Sequence, residues 1–315
     1  MPSFLTATRN SQVFAAIDLG SNALRAVIVR QSGKILEVIR NERVPLRLGE
    51  DVFATGKISD EKMDLTEEAF IKLFHLFTEY HVTDARAMAT SAMRDAENGD
   101  ILSERIFEAT GIEIEVIKGV EEARFIFEAV KGQVPLKKKL ALLMDIGGGS
   151  TELTIVRDEK ILGTHSFNVG TVRLLRYKNQ DELEKQIAAQ MQKMLRFIKT
   201  HTGKKKIDVF IGTGGNLRRI GKIRKKIMNR TSSEAMFNEI NHMEEAILSM
   251  SYVDRIRSLE LDQNRADVIL PAIMLTHHLM EALDLKKISL PKVGLKEGII
   301  LSMIEDKNKK FILRD

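Results

Sequence analysis

The chain has 315 residues, a length that at roughly 150 residues per domain fits two domains with sizeable cores. It contains no cysteine, which excludes disulfides and thiolate metal sites and suits a reducing compartment. The formal net charge is +5, and lysines gather at residues 137–139, 204–206, 222–226 and 307–310, so the summed field favours an anionic partner. Few aromatics accompany those runs, and the reading expects no nucleic-acid partner. No apolar run reaches the ~20 residues of a membrane span, and the opening MPSFLTATRNSQ lacks the apolar core of a leader. The expectation is a cytoplasmic protein with no membrane partner.

The first predicted element is a hairpin. Residues 14–36, FAAIDLGSNALRAVIVRQSGKIL, run from an apolar strand through Asp18 and Gly20 into a β-rich return. Residues 59–81 carry apolar positions at helical spacing through Leu65, Ala69, Leu73 and Leu76, and Ser59 is placed to cap them. Residues 85–94 (ARAMATSAMR) read as a strand entering a turn and then a helix, and residues 99–110 as a helix. An apolar strand follows at 112–117, then a helix at 121–131, with Gly132 and Pro135 marking a junction. We divide the chain there into lobes 1–125 and 126–315, with the last helix free to pack back on the first lobe. Residues 141–162, ALLMDIGGGSTELTIVRDEKIL, form a second hairpin. Helices are expected at 181–200, 233–252, 265–283 and 295–306, and residues 209–218 (VFIGTGGNLR) repeat the strand–turn–helix pattern of 85–94.

The two hairpins are copies of each other. Asp18 aligns with Asp145, Gly20 with Gly147 and Arg30 with Arg157, and both end in Lys-Ile-Leu. A repeat at this long spacing means duplicated domains, since solenoid periods are only 20–50 residues. Strands alternating with helices give an α/β fold of two duplicated lobes around a cleft. A hairpin directly after each Asp-x-Gly turn argues against a plain βαβ dinucleotide unit.

The turns carry the first candidate chemistry. Gly147, Gly148 and Gly149 remove every Cβ from one stretch of backbone and give access to positive φ. Successive N–H groups can then converge on an anion. Ser21, Asn22, Ser150 and Thr151 add polar side chains, and Asp18 and Asp145 are placed to hold a hydrated Mg²⁺. A lone Asp-x-Gly would be read as a tight hairpin; two matched copies favour a site. Glu121 and Glu122 open a helix, where acidic residues ordinarily partner the helix dipole. Their side chains point about 100° apart, so one can face the cleft as a general base, and periodicity does not say which. Glu152 stands where the first copy has Arg25, so one lobe offers a carboxylate and the other a guanidinium that can fork onto phosphate. Arg94, Arg218, Arg219 and Arg265 lie beside turns or at a helix start, and each is an open candidate for phosphate. His277 and His278 are adjacent on a helix and are assigned to no metal.

Five motifs occur in order: DLGSN at 18–22, ATSAMRD at 89–95, GVEEAR at 119–124, DIGGGSTE at 145–152 and GTGG at 212–215. Together they resemble the exopolyphosphatase / guanosine pentaphosphate phosphohydrolase (Ppx/GppA) family over roughly residues 14–300. The resemblance implies two ribonuclease-H-like lobes of the actin/Hsp70/sugar-kinase superfamily. It implies Glu122 as catalytic base and Glu152 as a second essential carboxylate. It also implies phosphate binding by Asp145, Gly147 and Ser150 and by Arg25, Arg94 and Arg265. The substrate so implied is polyphosphate or pppGpp, cut at its terminal phosphate by water. The chain is similar to the short, two-domain members, which predicts few contacts beyond the cleft and distributive cutting of long chains. Ala23, Asn216 and Lys292 depart from the usual serine, threonine and aspartate of the family. An ATP-dependent kinase on the same fold and a non-catalytic phosphate or nucleotide sensor are the competing readings. A homodimer is left open.

Overall fold

The computed structural model describes residues 11–177 and 179–312, with side chains to residue 306. The lysines of 307–310 therefore lie outside the described side chains. The first lobe contains β1 (Gln12–Leu19), β2 (Leu24–Ser32), β3 (Ile35–Val44), α1 (Leu48–Thr55), α2 (Asp60–Glu79), β4 (Asp84–Ala89), α3 (Ser91–Asp95), α4 (Gly99–Thr110) and β5 (Ile114–Val116). Helix α5 (Gly119–Lys131) follows and runs unbroken through the expected junction. The second lobe contains β6 (Leu140–Ile146), β7 (Thr151–Arg157), β8 (Lys160–Phe167), α6 (Thr171–Leu174), α7 (Gln180–Thr202), β9 (Val209–Thr213) and α8 (Gly214–Met228). It continues with β10 (Glu234–Met236), α9 (Phe237–Leu248), α10 (Tyr252–Leu259), α11 (Gln263–Ala266), α12 (Ile269–Ala282), β11 (Lys287–Ser289) and α13 (Leu295–Ile312).

The sheet orders are β3-β2-β1-β4-β5 and β10-β11-β9-β6-β7-β8. In both lobes an antiparallel three-strand meander joins a parallel neighbour: β1 pairs β4, and β6 pairs β9. The duplication extends to register. Asp18 lies opposite Arg25, and Asp145 lies opposite Glu152. Both turns close with the same backbone bond, Gly20 N–H to Ala23 O at 3.2 Å and Gly147 N–H to Ser150 O at 2.9 Å.

Side-chain alternation along the strands decides what faces the cleft. Val13, Ala15, Ile17 and Leu19 pack into the first lobe's own core, while Leu142, Met144 and Ile146 pack into the second's. The intervening Phe14, Ala16, Ala141 and Leu143 face the other way, into a third core shared by both lobes. Asp18 and Asp145 sit at the next positions of that inter-lobe face. Ile126, Phe127 and Val130 of α5 and Leu295, Ile299 and Met303 of α13 complete the shared core. Gly298 makes the α5–α13 crossing close, because a Cβ there would meet the backbone carbonyl of Phe125.

Two expected helices differ, and one helix was not expected. The span 233–252 is a short strand, a helix ending at Leu248 and a second helix begun by Ser251, whose hydroxyl accepts from Asp254 N–H in a reciprocal cap. The span 265–283 breaks at Asp267 and Val268, after which Pro271 sits in the first turn of α12, where a missing N–H costs little. Helix α1 is unforeseen; it opens at Arg47 with φ 53° and stops at Gly56 with φ 81°.

Candidate active site

The two turns and the start of α5 meet in one cleft. Asp18, Ser21, Asn22, Arg25, Glu122, Asp145, Gly147, Gly148 and Ser150 line it together. Gly149, Glu152, Arg94 and Arg265 do not reach its surface directly. Gly149 turns its carbonyl to Arg173, whose Nε donates at 2.8 Å. Ser21 shares a 2.8 Å hydroxyl contact with Ser91, and Asn22 Nδ2 donates across the lobes to the Asn264 carbonyl at 3.2 Å.

The triple glycine works differently from the sequence-based expectation. None of Gly147, Gly148 and Gly149 has positive φ; among the cleft glycines that conformation belongs to Gly214, at 86°. What the three provide is room. A Cβ on Gly148 would stand 3.0 Å from the Ser21 side chain and 3.3 Å from Asn22 N, both in the other lobe. One on Gly149 would enter the Phe53 ring. The second turn can nest against the first only because these side chains are absent. Gly214 serves Asp145 in the same way, since a Cβ there would lie 2.7 Å from its Oδ1.

The helix-opening glutamates divide their roles. Glu121 closes the N-terminus of α5, its carboxylate accepting from Lys118 N–H at 2.8 Å. Glu122 is buried in the cleft wall, with Oε2 lacking a hydrogen-bond partner. Gly119 brings α5 close to β8, because a Cβ there would collide with Ser166 and lie 3.2 Å from Glu152 Oε1. Ser166 Oγ donates to Glu152 Oε1 at 2.7 Å, leaving Glu152 Oε2 buried and unpartnered. Asp145 accepts from Thr213 Oγ1 at 2.7 Å, and Asp18 accepts from Arg25 at 3.1 Å.

Crowding these carboxylates out of water raises all their pKa values. Burial, followed by the charges of Glu152, Asp145 and Asp18, drives Glu122 well above the usual carboxylate range, against the pull of Arg94. Glu152 is pushed up to about 7, chiefly by burial, with Asp145 adding to the shift and the Ser150 and Ser166 hydroxyls opposing it. Asp18 and Asp145 are also raised, mainly by burial. Titratable groups perturbed by burial and by named charges in a cleft mark a functional site.

A family model described as the Ppx/GppA phosphatase family matches residues 27–307. The chain belongs to that family. Exopolyphosphatase 2 of Mycobacterium tuberculosis is 33% identical over 170 residues, covering 51% of this chain and 53% of that protein. A guanosine-5'-triphosphate,3'-diphosphate pyrophosphatase of Photobacterium profundum is 23% identical over 93% of this chain and 60% of its own length. The chain thus spans about half of the first relative and three fifths of the second. A solved exopolyphosphatase from Cytophaga hutchinsonii superposes with a TM-score of 0.86 at 26% identity, covering 94% of this chain and 98% of that one.

This Ppx/GppA chain adds cleft residues that its sequence left unassigned. Thr90, Ser91 and Lys296 also line the cleft, and so does Arg218, which the sequence left as an open candidate. Their signal lay in ATSAMRD at 89–95, in Arg218 soon after GTGG and in the glycine-flanked stretch 294–298, but only the fold brings the three segments together. Asn216, one of the family departures, donates its amide to Ile146 O and Thr171 Oγ1, both at 3.1 Å, and so braces the second turn. Arg94 donates to Ile117 O at 2.9 Å and projects its charge onto Glu122 and Glu152.

Asp18 and Asp145 fit a hard divalent cation. They are buried oxygen donors from matched turns, and four crowded carboxylates with two orphaned oxygens call for added positive charge. The histidines depart from expectation. His277 and His278 are adjacent, yet their ligand atoms and those of Glu244 on α9 all lie within 4.8 Å. Rotation about the side-chain bonds tilts the rings to 52°, and Glu244 approaches from a second helix to meet them. This group lies outside the cleft.

Proposed function

We propose that this chain is a phosphohydrolase that removes the terminal phosphate of inorganic polyphosphate or pppGpp by direct attack of water. The single observation that carries the reading is Glu122. It is buried in the cleft wall with a free carboxylate oxygen, and the turns of both lobes converge on the same cleft. The relatives named exopolyphosphatase and guanosine-5'-triphosphate,3'-diphosphate pyrophosphatase support the substrate class.

In this reading the terminal phosphate rests on the backbone of Gly147 and Gly148 and on the hydroxyls of Ser21 and Ser150. Arg25 and Arg218 balance its charge. Mg²⁺ held by Asp18 and Asp145 would neutralise negative charge on the phosphate oxygens. Glu122, once ionised, accepts the proton of the attacking water, and Glu152 stands behind it. Ser166 holds one Glu152 oxygen, so its carboxylate is fixed in orientation. Glu122 sits in the first turn of α5, where the helix dipole favours its ionised form against the burial that raises its pKa. No protein nucleophile enters, and the rate comes from positioning and electrostatics, as in phosphoryl transfer generally. A cytoplasmic location, which the cysteine-free composition suits, completes the reading.

The test is phosphate release in ¹⁸O-labelled water with Mg²⁺ and polyphosphate. The reading expects phosphate carrying one solvent oxygen, formed without any acceptor. Transfer of the phosphoryl group onto a hydroxyl acceptor, with no free labelled phosphate, would mean a kinase, and binding with neither release nor transfer would mean a sensor.

A further inference from the structure

A row of charge leaves the cleft along the first lobe's sheet. Asp18 on β1, Arg25 on β2 and Arg43 on β3 are direct cross-strand neighbours. With strands ~4.8 Å apart, the row steps from the cleft floor to the sheet edge. From the second lobe, α8 starts at the cleft with Gly214 and carries Arg218, Arg219 and Lys222 outward. Residues three and four apart share a helix face, so Lys222 lies beside both arginines.

Where the two lines meet, positive charge outnumbers its partners. Arg43 and Arg265 both pair with the same oxygen of Asp262, at 3.5 Å and 3.3 Å. Among the described residues, Asp262 is the only carboxylate at ion-pair distance from Arg43, Arg219, Arg265 or Lys222. The Nε of Arg43 and that of Arg219 are buried and have no hydrogen-bond partner. Burial, then Arg43, Arg219 and Arg25, bring the Arg265 guanidinium down to about 9, with Asp262 opposing. Lys222 is lowered first by Arg219, then by burial and Arg265. A solvated surface patch would keep its guanidiniums hydrated. Here Arg43 and Arg265 are only 22% and 19% exposed, whereas Asp262 is 56% exposed and free to swing away.

We propose that Arg43, Arg219 and Lys222, with Arg265, form a distal anion subsite that grips a phosphate several links along the substrate from the one being cut, and that Asp262 occupies it as an internal stand-in until substrate displaces it. The shared chemistry is a phosphate tethered to the terminal one. A linear polyphosphate meets it best, because its charges repeat along a line as these side chains do. The proposal rests on the hydrolase reading above and deepens it. It also revises the expectation of few contacts outside the cleft.

The experiment compares wild type, the double variant Arg43→Gln/Arg219→Gln and the single variant Asp262→Asn, each checked by thermal melting. Long-chain polyphosphate, tripolyphosphate and pppGpp are assayed separately. For the double variant the expected result is a KM for long chains raised about tenfold, the scale of one or two charge-assisted hydrogen bonds. Its kcat, and its KM for tripolyphosphate, should stay unchanged. The slope of log KM for long chains against log salt should fall by about 1–2, one charge per lost contact. Asp262→Asn should lower the long-chain KM, and it reads the proposal even if the double variant fails to fold. A larger effect on pppGpp than on polyphosphate would move the preferred ligand to the nucleotide and overturn the polyphosphate assignment. Equal losses on all three substrates, or no loss on any, would overturn the subsite. Calorimetric titration of long-chain polyphosphate into Glu122→Gln protein, with and without the two arginine changes, reads the subsite without turnover, so a failed hydrolase reading and a failed subsite remain distinguishable.

Discussion

At the scale of single residues, the cleft concentrates carboxylates that are uncomfortable without a ligand. Glu152 has an ordinary value of 4.5 and is pushed up to about 7 in the fold. It therefore binds a proton more tightly folded than unfolded. The stability this carboxyl contributes should be full below about 4.5, fall as pH rises towards about 7, and stay lost above it. The shift corresponds to at most ~3 kcal/mol. Glu152→Gln should remove this penalty. Between about pH 5 and pH 8 the melting temperature of ligand-free wild type should drop relative to that of the variant, and parallel curves would contradict the assignment. Adding Mg²⁺ should narrow the gap, because cation charge stabilises the ionised carboxylates.

Among the elements, the matched turns are the most specialised. Gly148→Val would push branched carbons against Ser21, Asn22 and Val172. Overpacking of this kind typically costs about 1–3 kcal/mol, which a protein with three packed cores can survive. Calorimetry should show a folded variant that no longer binds polyphosphate; normal binding would place the cradle elsewhere. Much at this scale was legible in the sequence. The hairpin copies, the Asp18–Arg25 and Asp145–Glu152 correspondence and most helices follow from aligned motifs and apolar spacing. The break before α10 was readable in Ser251 and Asp254 but hidden by continuous helical patterning on both sides. Other features lie beyond one-dimensional pattern. That Glu121 caps α5 and Glu122 faces the cleft depends on where α5 docks. The triple glycine predicts a backbone bare of Cβ and free in φ; the first is used and the second is not, and what the missing Cβ of Gly148 admits is a segment more than a hundred residues away in sequence. The distal arginines, Arg43 above all, had no local signal because they are united by sheet register and by a helix from the other lobe.

For the whole molecule, contacts on both sides of the cleft tie the lobes together. The shared core forms the hinge side. At the mouth, Arg47 pairs with Asp267 at 2.6 Å and Arg173 with Asp95 at 2.5 Å, while Arg173 also covers the Phe53 ring at 3.9 Å. Asp267→Asn should weaken closure by about 1–2 kcal/mol, the scale of one charge-assisted hydrogen bond. X-ray scattering should then give a larger radius of gyration for the free variant than for wild type, with polyphosphate restoring it. Equal radii without ligand would show that the shared core alone holds the lobes. The basic strip ends at Lys222, so the grip on a long chain remains short. Gel time courses with excess substrate should show all chains shortening together. Untouched long chains beside fully digested product would reveal a longer track.

The most direct test of the central claim compares Glu122→Gln with wild type in two measurements on the same preparation. Mg²⁺-dependent phosphate release from polyphosphate should fall by ~10²–10⁴ in kcat, the range for loss of a general base. Calorimetric affinity for the same polyphosphate should remain close to that of wild type. Release within threefold of wild type would show that Glu122 is not the base, whatever else the cleft binds.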